Sequence, residues 1–523
     1  MIGENMEDVI CVSDYNKKVL ETMNIEGIKI FDTTLRDGEQ TPGVAFSIEE
    51  KVKMAESLDL LGVDAIEAGF PITSAGEKEA IKKICDMGLK AKICGLARSN
   101  KKDIDVALDC NVDRVHTFIA TSPLHREFKL KMSKEEIMAR AIEGVEYAKD
   151  HGVEVEFSCE DATRTELEYL KEMHRAVRDV GVDYINVPDT VGTIMPKAMR
   201  YLIKELVNDI NVPISIHCHN DFGLAVANSL AAVESGAKQI HCTINGLGER
   251  AGNASLEEIV MSLMALYGVR VSLDTTRLTY ISKLVSRISG VVVQPNKAIV
   301  GENAFAHESG IHVHGVLSKA FCYEPLTPKL VGKESEIVVG KHTGLHAVEK
   351  KLRDFGIGLT RDQILEIVED IKLIREGGKK ITDEDLIAIA AGYVGKVPDE
   401  EKEVKLEEMS IISGLRITPT ATAILNINGT KKVGSNIGNG AVDAALNALK
   451  SIVPEKITLE EYRLEAITGG SDALCQVSVK MANEAGIKAL GKSVGPDIVM
   501  TSVNAAIEAI NKLRKINKEG KTQ

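Results

Sequence analysis

Between residues 28 and about 268 the chain alternates two hydrophobic patterns, short apolar and β-branched runs and longer segments with apolar residues every three or four positions. The first pattern predicts strands and the second helices. Eight strand-like runs occur: IKIFDTTLR (28–36), DAIEAGF (64–70), AKICGLAR (91–98), RVHTFIAT (114–121), VEVEFSCED (153–161), YINVPDT (184–190), PISIHCHND (213–221) and QIHCTINGLG (239–248). The segments between them, such as SIEEKVKMAESLDLLG and SKEEIMARAIEGVEYAKDHG, open on a Ser that can cap a helix and close on a Gly that can end one. Eight strand–helix units in roughly 240 residues match a (β/α)8 TIM barrel, an α/β fold whose functional residues gather at the C-terminal ends of the strands. An open doubly wound sheet is the alternative, but it would not bring the first and last units together, as barrel closure does.

Beyond the barrel the pattern changes twice. Residues 290–330 mix Pro, Gly, Asn and His, and 333–396 read as mainly helical, including ITDEDLIAIAAGYVG. A charged connection, PDEEKEVKLEE (398–408), leads to strand-like segments, a Gly-rich turn and an Ala-rich helix. That last arrangement occurs twice, with GSNIGNGAVDAALNALKSI (434–452) and GKSVGPDIVMTSVNAAIEAINKL (491–513) in matching places. The expected division is therefore a barrel over 27–289, linker subdomains over 290–397 that contribute to the active site, and an α+β domain over 405–515 built by internal duplication. The glycines before its two helices could admit a small ligand's carboxylate to the helix N-termini, or could simply be turns.

Composition narrows the function classes. A formal charge of −13, with no basic run to offset it, argues against nucleic-acid or anionic-membrane partners. No signal-like segment opens the chain, and no stretch is apolar over the ~18 residues a membrane span requires, so a cytoplasmic location is expected. The nine Cys occur without a C-x-x-C pair and read as reduced, mostly buried thiols. Cys218, between two histidines on a strand, should face away from them into the core.

The chemistry concentrates at strand ends. His217 and His219 in HCHND lie two apart at the end of an apolar run, so on an extended strand both imidazoles share a face. Asp37 in DTTLRDGEQ, at the end of the first strand, and Asn253 in GERAGNAS, after the eighth, complete an oxygen-and-nitrogen set suited to a divalent cation. A second pair, His312 and His314 in HESGIHVHG, competes for the metal, but it follows the barrel and has only Glu308 as a neighbouring carboxylate. Arg36 could place a guanidinium beside the metal to neutralise a developing alkoxide or enolate, or form a structural ion pair with Glu67 behind it; both roles are compatible. Glu160 and Asp161 are either acid/base groups or a solvated turn.

Seven stretches together carry a resemblance: DTTLRDGEQTPG (32–43), HTFIATSPLH (116–125), FSCEDATRT (157–165), NVPDTVG (186–192), HCHNDFGLAVANS (217–229), NGLGERAGNASLEE (245–258) and HESGIHVHG (307–315). In this order they resemble the signatures of the 2-isopropylmalate, citramalate and homocitrate synthase family over nearly the whole chain. The final domain is similar to the leucine-binding regulatory domain of that family. The resemblance implies condensation of acetyl-CoA with a 2-oxo acid and release of coenzyme A. It implies a divalent metal (Mg2+, Mn2+ or Zn2+) held by Asp37, His217, His219 and Asn253, with Arg36 at the alkoxide and Thr190 at the substrate carboxylate. It further implies that His312 and Tyr323, from the subdomain after the barrel and across a homodimer, remove the acetyl proton with help from Glu160.

The 2-oxo acid pocket implied by the resemblance is lined by Leu96, His116, Ser158 and Asn186. Small Ser158 leaves room for a branched side chain, and no extra cation at these positions invites a distal carboxylate. 2-Oxoisovalerate is therefore the expected substrate and leucine the expected effector, with pyruvate and a citramalate synthase as the alternative. A lyase of the same barrel superfamily, acting on a hydroxyacyl-CoA, would share the Arg–Asp and HxH motifs.

Overall fold

The computed structural model describes residues 9–21, 23, 25–340, 343–376, 381–393, 396–397, 400–467 and 473–519. Its strands β1 (Lys29–Asp32), β2 (Ala65–Gly69), β3 (Lys92–Arg98), β4 (Arg114–Ala120), β5 (Glu154–Glu160), β6 (Tyr184–Asp189), β7 (Ile214–Cys218) and β8 (Gln239–Cys242) form a closed parallel barrel. Closure joins β1 to β8, with Ile30 opposite Ile240 and Asp32 opposite Cys242. This is the TIM barrel expected from the eight-fold alternation.

The helices between the strands begin as the Ser residues predict. Ser47 and Ser133 each accept from a backbone N–H three residues on, while Glu50 and Glu136 reach back to the Ser backbone, closing two capping boxes. Apolar residues of these helices, such as Met54, Leu58 and Ile137, pack fully buried against the outside of the barrel. The floor of the barrel is polar. Arg114 binds Glu156 at 2.8 Å and Gln239 at 3.0 Å, and His241 meets Glu156 at 2.9 Å while stacking on Phe31 at 4.0 Å between ring centroids. Buried charges of this kind persist only when paired, and these are.

The chain forms two compact units, one comprising residues up to Ala306 together with Tyr323–Ser335, the other His307–Cys322 with Glu336 to the end. In the first unit the N-terminal segment is tied down. Ile10 is buried and bridges Leu326 in antiparallel fashion, while Thr327 donates its N–H to the Val9 carbonyl at 2.8 Å.

In the second unit, helices Leu345–Asp354, Arg361–Glu376 and Asp383–Tyr393 share a core of Val348, Ile367, Ile371, Leu386 and Ile389. The C-terminal part repeats one motif. An antiparallel sheet of Val404–Gly414, Ile417–Ile427 and Thr430–Ile437 precedes helix Ala441–Ile452, and a second sheet of Ile457–Ala466, Cys475–Asn483 and Lys488–Gly495 precedes helix Ile498–Glu519. Gly438 is required by packing, since a Cβ there would lie 2.2 Å from the backbone nitrogen of Ala444. All nine cysteines are free, and Cys218 is buried. Among the described residues no helix is long and apolar enough to cross a membrane.

Candidate active site

The sharp turn after β1 positions Asp37. Asp32 accepts both the N–H and the hydroxyl of Thr34 at 2.9 Å, and the N–H groups of Asp37 and Gly38 converge on the Thr33 carbonyl. Burial pushes the Asp32 carboxyl up to about 7. The turn thus delivers Asp37 over the barrel mouth, where its Oδ2 lies 3.3 Å from Nε2 of His217 and 3.8 Å from Nε2 of His219. The two imidazole nitrogens are 3.2 Å apart, as expected for alternate residues leaving a strand on one face. Asn253, bridged to His219 through the backbone, donates from Nδ2 to Asp37 Oδ2 at 2.7 Å and to the Leu247 carbonyl at 2.9 Å.

Behind this group runs a chain of buried contacts. Arg36 bonds Asp37 at 2.8 Å and Glu67 at 2.7 Å, so the ion pair with Glu67 and the position beside the candidate metal coexist. Glu67 also accepts from Thr33 at 2.6 Å and meets His116 Nδ1 at 2.6 Å; the other ring nitrogen of His116 lies 2.6 Å from Ser158 Oγ, which accepts from Asn186 at 2.8 Å. Burial alone would raise the carboxyls of Asp37 and Glu67. The Arg36 guanidinium and the neighbouring imidazoles overcome it and hold both well below the usual carboxylate range. Burial, reinforced by His217, pushes the His219 imidazole down to about 4.

A cavity of about 320 Å³ opens above these groups. Arg36, Asp37, His217 and His219 line its floor, and Leu96, His116, Ser158, Asn186, Thr190 and Glu160 stand around it. Glu67 and Asn253 lie behind that surface. Sequence reasoning missed Gln40, Lys129, Glu249 and Arg250, together with Phe70, Phe118 and Pro188. A signal existed for Glu249 and Arg250, a charged pair inside the Gly-rich NGLGERAGN loop; Arg250 there adopts a left-handed φ of 55°.

Family models match the chain over residues 27–285 (HMGL-like), 299–379 (homocitrate synthase post-HMGL domain-like) and 380–514 (LeuA allosteric, or dimerisation, domain). The 2-isopropylmalate synthase of Methanocaldococcus jannaschii is 58% identical across 95% of this chain and 97% of its own length. The chain belongs to the 2-isopropylmalate synthase family. The probable 2-isopropylmalate synthase of Methanopyrus kandleri is 54% identical over 93% of this chain and 98% of its own. The (R)-citramalate synthase of M. jannaschii is 46% identical over 93% and 99%. As a member of the 2-isopropylmalate synthase family, the protein is an acyltransferase that condenses acetyl-CoA with a 2-oxo acid.

The donor set in this synthase fits a divalent cation. Bonds of about 2.1 Å at right angles or tetrahedral angles place ligand atoms roughly 3.0–3.4 Å apart, close to the separations among Asp37, His217 and His219. Among the described residues these three form the one group of His, Cys, Asp and Glu side chains so placed. The Oδ1 atom of Asn253 is buried and has no hydrogen-bond partner among the described residues. The competing pair His312 and His314 lies on helix Gly310–Ser318, where residues two apart diverge by roughly 200°.

The remaining residues singled out in the sequence fall in different places. Glu160 ends β5 and is held by Lys129 at 2.5 Å, with His125 Nδ1 at 3.6 Å. Thr190 accepts the N–H of Asp161 at 3.0 Å. Tyr323 belongs to the barrel-containing unit, half-exposed and outside the cavity lining; His312 is exposed and belongs to the second unit.

Proposed function

We propose that this enzyme condenses acetyl-CoA with 2-oxoisovalerate and water to give 2-isopropylmalate and coenzyme A. The observation that carries the reading is the cavity wall, where Leu96, Phe70, Phe118 and Pro188 present apolar surface beside small Ser158. Lys129 and Arg250, the cations bordering it apart from Arg36, are committed to Glu160 and to Asp221. A distal carboxylate, as in 2-oxoglutarate, would find no free partner there. Within one organism, M. jannaschii, the chain is also more similar to the 2-isopropylmalate synthase than to the citramalate synthase.

Asp37, His217, His219 and Asn253 would hold the cation, which when bound supplies Lewis acidity to the 2-oxo group. The chain's own residues do the rest. A base removes a proton from the acetyl methyl group, whose carbon then forms a bond to C2 of the oxo acid. Arg36, already beside Asp37, faces the oxygen on which negative charge accumulates. Thr190 binds the substrate's carboxylate, and Asn186 lines the pocket beside Ser158. His312 and Tyr323, with Glu160 assisting, carry the proton from the acetyl methyl group, and a neighbouring subunit supplies them in a homodimer. Water then cleaves the thioester, the hydroxyl joining the acyl carbon and the sulfur leaving as the thiol.

Leucine is the proposed effector, a reading supported by the match of residues 380–514 to the LeuA allosteric domain. Steady-state kinetics on the full chain with 2-oxoisovalerate, pyruvate and 2-oxoglutarate, with and without leucine, test the whole reading. The highest kcat/KM is expected on 2-oxoisovalerate. Because one or two methyl groups discriminate by only about 1–3 kcal/mol, a higher kcat/KM on pyruvate would make the enzyme a citramalate synthase, and isoleucine would then be the effector to try.

A further inference from the structure

Lys51 lies one turn into helix Ile48–Leu61, on the same buried stripe as Met54, Ala55, Leu58 and Leu61. It is enclosed by protein, with 1% of its side chain exposed. Its ammonium donates to the Leu35 carbonyl at 3.0 Å and pairs with Glu77 and Glu39, each at 2.6 Å. A cation near a helix N-terminus opposes the helix dipole, and a buried one requires full pairing. Both costs are met by anions from two separate elements, Glu39 in the turn Gly38–Gln40 and Glu77 in the first turn of helix Ala75–Asp86.

Each of these contacts leads to a residue of the cavity wall. Leu35 directly precedes Arg36 and Asp37; Glu39 directly precedes Gln40, and its other oxygen accepts the Phe46 N–H at 2.9 Å. Glu77 accepts the N–H of Phe70 at 3.0 Å, and Phe70 lines the cavity. Room for this contact is built into β2. Gly69 has a φ of 154°, and a Cβ there would fall 1.9 Å from Glu77 Oε1. The same ammonium therefore fixes the loop bearing the candidate metal ligand and the loop bearing an apolar wall of the pocket, without touching the cavity itself.

We propose that Lys51 is a positioning residue for the reaction, a buried clamp that sets Asp37 against His217 and His219 and holds Phe70 at the 2-oxo acid. The inference rests on the reading of this cavity as the metal and 2-oxo acid site. Supporting partners behind a ligand typically govern metal affinity by 10- to 100-fold, and the clamp is expected to act on that scale.

The test compares the full chain with Lys51→Met, Lys51→Arg and Glu39→Gln, reading Mn2+ affinity by electron paramagnetic resonance titration and KM and kcat with the best 2-oxo acid. Lys51→Met should weaken Mn2+ binding about 10-fold or more and raise KM, with partial recovery in Lys51→Arg. Glu39→Gln loses the charge and one of the two oxygens that accept from Phe46 and Lys51; it should weaken Mn2+ binding by a smaller factor, and it decides the matter if Lys51→Met does not fold. Wild-type Mn2+ affinity and KM in either folded variant overturn the clamp alone. A wild-type protein that binds no Mn2+ and turns over no 2-oxo acid overturns the site reading, and this inference with it.

Discussion

Asn253 donates an amide hydrogen to Asp37 Oδ2 over 2.7 Å, although 216 positions separate the two residues. Barrel closure makes them neighbours, since β1 pairs with β8 and each residue sits in the loop leaving one of those strands. The amide's two hydrogens are committed to Asp37 and Leu247, and Oδ1 is buried with no hydrogen-bond partner among the described residues.

Asn253→Ala removes both the restraint on Asp37 and the spare oxygen. Mn2+ affinity should fall by about 10- to 100-fold, the range for partners that orient a metal ligand. Isothermal titration of the metal-stripped variant checks this. Affinity equal to wild type would mean that the amide only fills space.

Glu67 is the hub behind the site, bonded to Arg36, His116 and Thr33 with no solvent exposure. Glu67→Gln leaves Asp37 alone to balance Arg36, and losing a hydrogen bond to a charged group costs about 1.5–3 kcal/mol. Melting temperature and kcat should both drop. A variant with wild-type kcat would show that Arg36 needs no carboxylate behind it to work.

The barrel was legible because helical and strand periods alternate over eight units, and the HxH pair was legible because alternate strand residues share a face. Asp37, His217 and His219 then followed from the rule that strand ends meet at one rim. The role of Lys51 was not legible: its spacing from Met54, Ala55 and Leu58 puts it on the buried stripe, but no local pattern shows that the turn Gly38–Gln40 and helix Ala75–Asp86 bring Glu39 and Glu77 to it. The polar floor was hidden for the same reason. Arg114, Glu156, Gln239 and His241 come from three strands and meet only once the barrel closes, with Glu154 and Ser215 as further partners. Residues 9–12 gave no motif, yet Ile10 is buried against the connection at Leu326.

His312 is one of the residues proposed to take the acetyl proton. His312→Ala should retain 2-oxo acid binding, since the cavity floor and wall described here lie in the barrel, while turnover falls by roughly 10²–10⁴-fold, as for loss of a general base. Fluorescence or calorimetric binding of the 2-oxo acid beside steady-state kcat separates the effects. Unchanged turnover would remove His312 from the mechanism.

His174, in helix Leu167–Asp179, is fully buried, and neither ring nitrogen has a hydrogen-bond partner among the described residues. Burial pushes its imidazole down from 6.5 to about 3, with Asp209 opposing weakly. The folded protein therefore keeps this ring neutral at pH values where the unfolded chain already binds a proton. Its contribution to stability is intact above about pH 6.5 and is lost as pH falls from there toward 3, at up to about 1.4 kcal/mol per pH unit. Replacing the ring by leucine removes the titration and an unsatisfied polar group together, which is near neutral or stabilising at pH 7. Urea midpoints at pH 7 and pH 5 should converge in His174→Leu relative to wild type; equal acid sensitivity in the two proteins would place the titrating group elsewhere.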